Sequence, residues 1–172
     1  MTQYSRRLVI IHWLTFVLIV VEWFLGNNLA DATDAGNATV QGYLVHVLVG
    51  ATILLLTITR LFFRRQDGAP PPIGKSFMDK AAKVNVYALY AVLLALTASG
   101  MLTVLTSEAG KALLAGDANL LPKAEGYKNV FAHEVHEVLV TVLIVFVVLH
   151  LLGVIKHQFI MKDGFIKRMF LR

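Results

Sequence analysis

Four stretches of this chain are apolar over about 20 residues each, the length an α-helix needs to cross the hydrocarbon core of a bilayer. They are residues 8–26, 42–63, 84–106 and 130–160. No other feature constrains the fold as tightly. In lipid every backbone N–H and C=O must find its partner within the protein, and only helices and closed barrels achieve that. The runs are continuous rather than alternating and far longer than strands, so they read as helices. They take up most of the 172 residues, and a mean hydropathy of +0.67 leaves little polar sequence for a separate soluble domain. The expected architecture is all-α: one integral membrane domain over residues 1–172, folded as an up-down-up-down four-helix bundle with short links. The first run resembles a secretory leader only superficially. Its apolar core is longer than a usual h-region, no small-x-small site follows cleanly, and "IHW" lies inside it, so it is expected to remain as a transmembrane helix.

Basic residues orient the bundle. Arg6 and Arg7 precede the first run, and Arg64, Arg65, Lys75, Lys80 and Lys83 lie between the second and third. Lys156, Lys162, Lys167, Arg168 and Arg172 lie at or beyond the end of the fourth. Residues 27–41 hold no Lys or Arg, and the link between the third and fourth runs holds three, Lys111, Lys123 and Lys128. The positive-inside rule therefore places both termini in the cytoplasm. The net charge of +5 is mostly this topological signal and needs no nucleic-acid partner; the surrounding partner is membrane lipid. Cysteine is absent, which excludes disulfides, iron–sulfur clusters and thioether-linked haem.

Residues 27–41 read as a polar, acidic outer loop, and Pro70, Pro71 and Pro72 force an extended path in the inner loop. A modest amphipathic stretch near 111–121 is expected to form a short helix on the membrane surface.

The histidines carry the chemistry. His136 and His150 are 14 residues apart, which leaves them about 40° from perfect alignment on one helix face and roughly 21 Å apart along the axis. With the fourth helix starting outside, His136 lies near the outer face and His150 toward the cytoplasm. His46 lies just inside the outer start of the second helix, and His12 just inside the cytoplasmic start of the first. The depths match in pairs: His46 with His136, His12 with His150. A lone membrane histidine commonly serves as an interhelical hydrogen-bond partner. Four at two matched depths instead suit two planar macrocycles, each clamped from both sides, and histidine is a standard axial ligand of haem iron. Two such ligands fill both axial positions, which favours electron transfer over oxygen binding.

Other polar residues fall into place around this frame. Arg60 follows His46 by 14 residues, on the same face at the inner level, where haem propionates would offset a costly membrane charge. Gly50, one turn after His46, would let a flat ring approach the backbone. Trp13 and Trp23 mark the two ends of the first span as interfacial aromatics do, and Trp13 is also placed to pack on the inner macrocycle. His157 shares the face of His150, with a propionate, a quinone head group or plain interfacial solvation as its candidate roles. Arg7, at the cytoplasmic start of the first span, joins the candidate cofactor contacts. Glu22 is interfacial or part of a proton path. His133 reads as a solvated interface residue. Ser99 and Gly100 permit close helix packing in the third helix, which has no histidine and is structural or quinone-facing. "HEVHE" is not a zinc-protease motif, because its histidines are three apart rather than four.

From end to end the chain resembles the bacterial cytochrome b-561 family of four-helix dihaem membrane proteins. The resemblance rests on "YSRRLVIIHW", "LVHVLVGATILLLTITRLFFR", "LYAVLLALTASG", "VHEVL" with "LH" 14 residues after its histidine, and the closing "KHQFIMKDGFIKRM". It implies haem ligation by His12, His46, His136 and His150, two haem b groups, and a bacterial inner membrane location. Two positions depart from the pattern. Val86 stands where many relatives have a histidine, with Asn85 beside it, and Thr97 stands where proline is frequent.

The resemblance implies one of two activities. One is superoxide oxidase-like: superoxide is oxidised at the outer face and ubiquinone is reduced. The other is that of a haem subunit between a quinone pool and a partner dehydrogenase or other redox protein. A chain without a large soluble domain fits the first better. Lys111, Lys123 and Lys128 are the basic residues expected outside, and Lys123 and Lys128 are the candidates for attracting the superoxide anion; their alternative is ordinary solvated loop charge. A third class is non-redox, a small transporter or scaffold whose histidines bind protons or metal. Monomer and homodimer are both compatible with the sequence.

Overall fold

The computed structural model describes residues 3–71, 77–127 and 130–171. Its four long helices are α1 (Arg6–Asp34), α2 (Val40–Asp67), α3 (Phe77–Thr106) and α6 (Phe131–Ile155). Each is long and apolar enough to cross a membrane, α6 together with the turn that follows it. No β-strand occurs among the described residues. Two short helices, α4 (Glu108–Ala115) and α5 (Ala124–Tyr127), lie between α3 and α6. Successive long helices pack as antiparallel neighbours, α1 on α2, α2 on α3 and α3 on α6, giving a four-helix bundle. Large apolar side chains such as Phe16, Leu48, Leu55, Leu102 and Val138 remain exposed on the helix surfaces. That is the expected arrangement where lipid rather than water is the solvent. Thr57 and Thr103 are buried and satisfied by bonding back along their own helices, Thr57 to the Ile53 carbonyl at 2.8 Å and Thr103 to the Ser99 carbonyl at 2.9 Å.

Both chain ends lie at one end of the bundle, the near end. The Tyr4 amide donates to the Arg168 carbonyl at 3.2 Å. Arg7 pairs with Asp67 and stacks its guanidinium 3.9 Å over Phe63, tying the start of α1 to the end of α2. The tail is hooked back. After α6 the helix widens to a π-helical turn (Lys156–Met161), Lys162 and Gly164 take left-handed conformations, and a 3₁₀ turn follows (Phe165–Met169). Asp163 holds this hook. Its carboxylate accepts from His157 Nδ1 at 2.6 Å and from the Phe165 amide at 2.9 Å, while the His157 ring stacks on Phe165.

The helices depart from the sequence-based boundaries mainly by being longer. The polar stretch expected as an outer loop from residue 27 is helical to Asp34. Leu29 packs against a small far-end core of Tyr43, Ala109 and Tyr127, and Thr33 Oγ1 lies 3.1 Å from Tyr43 OH, so these residues have packing reasons to stay wound. α3 begins at Phe77 rather than 84, with Asp79 in its first turn, where the helix dipole favours an acid. The amphipathic stretch expected near 111–121 is helical over Glu108–Ala115. Ser107 caps its start, and Gly116 ends it in a left-handed conformation (φ 67°) that a glycine adopts without strain. Pro70 and Pro71 follow the end of α2 in non-helical chain; Pro72, Lys75, Lys128 and Arg172 lie outside the described residues.

Candidate functional site

The bundle brings the four histidines of α1, α2 and α6 together in the two expected pairs. His12 and His150 have ring centroids 6.4 Å apart; His46 and His136 have centroids 6.2 Å apart. Two imidazoles bound to opposite sides of one metal, with bonds of about 2 Å, would have centroids roughly 6 Å apart. The spacing fits one metal between each pair. α6 packs closely on α3 but makes no comparable contact with α1 or α2. The imidazoles reach across that seam, and a flat group held between them would occupy it.

The far pair has a defined tautomer on one side. His136 Nδ1 lies 3.0 Å from the Leu96 carbonyl and 3.3 Å from Ser99 Oγ, both on α3. A carbonyl only accepts, so Nδ1 carries the hydrogen and Nε2 is left with its lone pair for a metal. Gly100 makes this approach possible: a Cβ there would stand 2.9 Å from His136 Cε1. On the other side, His46 sits against α1. Its Cε1 would lie 3.4 Å from a Cβ at Gly26, and its Nδ1 lies 3.2 Å from Glu22 Oε1. Gly50 faces the same carboxylate, since a Cβ there would stand 3.1 Å from Glu22 Oε1. The space expected beside Gly50 for a ring is thus used by Glu22.

The near pair lies beside positive charge. Arg60 on α2 is close enough to act electrostatically on both His12 and His150. Its guanidinium stands 5.6 Å from the Tyr90 ring centroid on α3. Arg60 Nε and Tyr90 OH are both buried without a protein partner. Orphaned donors at this depth suit an anionic group, and haem propionates have that chemistry. Each histidine pair therefore sits within a frame to which all four long helices contribute.

The remaining candidates lie further out. Trp13 packs edge-on against His12, with centroids 5.3 Å apart, and its Nε1 donates to the Met169 carbonyl at 2.9 Å, pinning the C-terminal hook to α1. His157 is engaged by Asp163, and Arg7 by Asp67. Lys123 is exposed in the far-end link, and Lys128 falls outside the described residues. His133 stacks on Tyr127 with centroids 4.5 Å apart. Tyr127 in turn donates to Tyr43 at 2.9 Å. The contacts of Leu96, Ser99 and Gly100 with His136, and of Tyr90 with Arg60, are not legible in the sequence. α3 carries no histidine, and nothing in its sequence says which helix its small residues face.

A four-helix membrane bundle with interior histidine pairs at metal-bridging distance is the architecture of a haem-carrying membrane cytochrome. Residues 3–172 match the family described as prokaryotic cytochrome b561, and the chain belongs to that family. It is similar to cytochrome b562 of Cereibacter sphaeroides, with 27% identity over 176 residues that cover 98% of each chain. No solved structure matches it. The chain is a multi-pass bacterial membrane protein, a b-type cytochrome of electron transfer.

Proposed function

We propose that residues 1–172 form a single dihaem domain of the inner membrane that oxidises superoxide on its outer side and reduces ubiquinone, with both termini cytoplasmic. The carrying observation is the pair of imidazole pairs with centroids 6.4 and 6.2 Å apart at opposite ends of one bundle. His12 and His150 would hold one haem b, and His46 and His136 the other. Bound haem would supply one-electron transfer at both depths. The overall reaction takes two superoxide anions, one ubiquinone and two protons to two dioxygen molecules and ubiquinol.

The chain's own residues do the rest. Leu96 and Ser99 hold the His136 imidazole with Nε2 turned inward. Arg60 offsets negative charge at the inner level. Lys123, exposed at the outer end, adds attraction for an anion. A groove of about 380 Å³ between α3 and α6, lined by Lys80, Ala81, Val84, Asn85, Phe146 and Leu149, suits an isoprenoid quinone. The Asn85 Oδ1 beside it is buried without a partner and can accept from a quinol hydroxyl.

The test begins with haem-to-protein ratio and reduced-minus-oxidised visible spectra of the detergent-purified protein and of His136→Ala. Two b-type haems per chain, falling to one in the variant, support the dihaem reading. A colourless but inserted protein overturns it in favour of proton or metal transport. Superoxide alone should then reduce the haem-loaded protein and, through it, ubiquinone. No response without an added redox protein would favour the alternative of a haem subunit serving a partner dehydrogenase. Leu114, 92% exposed at the outer end on α4, is the observation on that side.

A further inference from the structure

We propose that Glu22 is a positioning residue for the outer haem: its carboxylate accepts the Nδ1 hydrogen of His46, fixes the tautomer and turn of that ring, and lowers the midpoint potential of the group the ring holds. This rests on the dihaem reading above.

Glu22 lies in the body of a membrane-spanning helix, where a carboxylic acid is costly and turns inward to a partner. Its side chain is 17% exposed and that of His46 is 23% exposed. Glu22 Oε1 stands 3.2 Å from His46 Nδ1, within reach but not aligned as a hydrogen bond. Neither His46 Nδ1 nor Glu22 Oε2 has a hydrogen-bond partner. A small rotation of either side chain completes the bond and satisfies a buried donor. Two glycines make the room. Gly50 leaves space for the carboxylate and Gly26 for the imidazole, at the separations given above.

A ring that donates Nδ1–H to an acid binds metal through Nε2 as a more basic ligand. A more basic axial ligand favours the oxidised metal, which lowers the potential. The partner ring, His136, donates to a neutral carbonyl, a weaker acceptor. The inner pair is flanked by the guanidinium of Arg60, whose positive charge favours the reduced metal. Both features make the outer site the better electron donor and the inner site the better acceptor. The bundle is thereby biased toward inward electron flow.

The experiment is a spectroelectrochemical redox titration of the detergent-purified, haem-loaded protein. Wild type should titrate in two components, and His136→Ala identifies the outer one. Glu22→Leu is expected to raise the outer midpoint and leave the inner one in place. Glu22→Gln keeps an acceptor oxygen and should fall between Glu22→Leu and wild type. Gly50→Ala, which displaces the carboxylate without removing it, should move the outer midpoint in the same direction. An unmoved outer midpoint in fully loaded Glu22→Leu overturns the proposal, as does an equal shift of both components. Where Glu22→Leu does not assemble, an unmoved outer midpoint in both Glu22→Gln and Gly50→Ala overturns it. Wild-type protein with no haem at His46 and His136 overturns this proposal together with the dihaem reading. A loaded outer site with unmoved potential overturns this proposal alone.

Discussion

His136 can lie against α3 because residue 100 has no side chain. A Cβ at that position would stand 2.9 Å from the imidazole, closer than such contacts allow, and the opposing atom belongs to a ring held by Leu96 and Ser99. Gly100→Ala therefore has to push the imidazole off its acceptor or the helix off its neighbour. The expected cost is about 1–3 kcal/mol of stability. On the proposed dihaem reading, haem should be lost selectively from the His46–His136 site, read as a fall toward one haem per chain with the spectrum of the His12–His150 site intact. Ser99→Ala tests a milder perturbation: the Leu96 carbonyl still accepts from Nδ1, so loading should hold at two. At this scale the sequence was informative about which histidines pair and silent about what supports them. A histidine inside an apolar run declares itself by its cost. A glycine, a serine or a backbone carbonyl does not, because each is common in membrane helices and acquires its role only from the helix it faces. Glu22 lies between these cases. Its residue type marked it as unusual, but its partner is on another helix.

At the scale of elements, the far-end cap and the C-terminal hook are separate devices. The cap is built around Tyr43 and Tyr127, whose hydroxyls are joined at 2.9 Å, with Thr33 as the next partner. Burial and the bond to Tyr43 push the Tyr127 phenol above its usual range, so it stays neutral as a donor. Tyr127→Phe should cost about 1 kcal/mol, the net worth of one such bond, visible as a lower denaturation midpoint with the spectra unchanged. The hook depends on Asp163. Burial would raise its carboxyl, but the bonds from His157 and the Phe165 amide outweigh this and hold it below the ordinary 3.8. A depressed folded value means that the carboxylate's contribution is present above the unfolded value and is lost as pH falls through the folded one. Relative to intrinsic rates, amide exchange across residues 162–171 should stay slow at neutral pH and quicken below about pH 4. Asp163→Asn should quicken it at neutral pH. The helices themselves were legible from hydropathy, but their ends were not. Residues 27–34 are polar, and only the packing of Leu29 and Thr33 on the far-end core explains why they remain wound.

For the whole molecule, the weak seam between α6 and the α1–α2 pair is the informative feature. Packing joins α1 to α2, α2 to α3 and α3 to α6, while the histidines are what reach across from α6 to α1 and α2. A ligand bound only by the folded bundle stabilises it by mass action, and one that bridges the seam also closes it. Protein produced under haem limitation should therefore melt at a lower temperature than the loaded form. His12→Ala and His46→Ala should each reproduce part of that loss, through one site only, as scanning calorimetry in detergent would read.

The sequence by itself determined that the chain is a helical membrane bundle and which histidines share a depth, because hydrocarbon length, helical pitch and the cost of polar groups in lipid act on each segment separately. Only the tertiary structure decided which side chains hold those histidines in place. Leu96, Ser99 and Gly100 meet His136, Glu22 and Gly50 meet beside His46, and Arg60 stands near His12 and His150. Each of these meetings depends on the rotation of one helix about its own axis relative to another. That rotation is set by packing across the bundle, a sum over all four helices that no single segment contains.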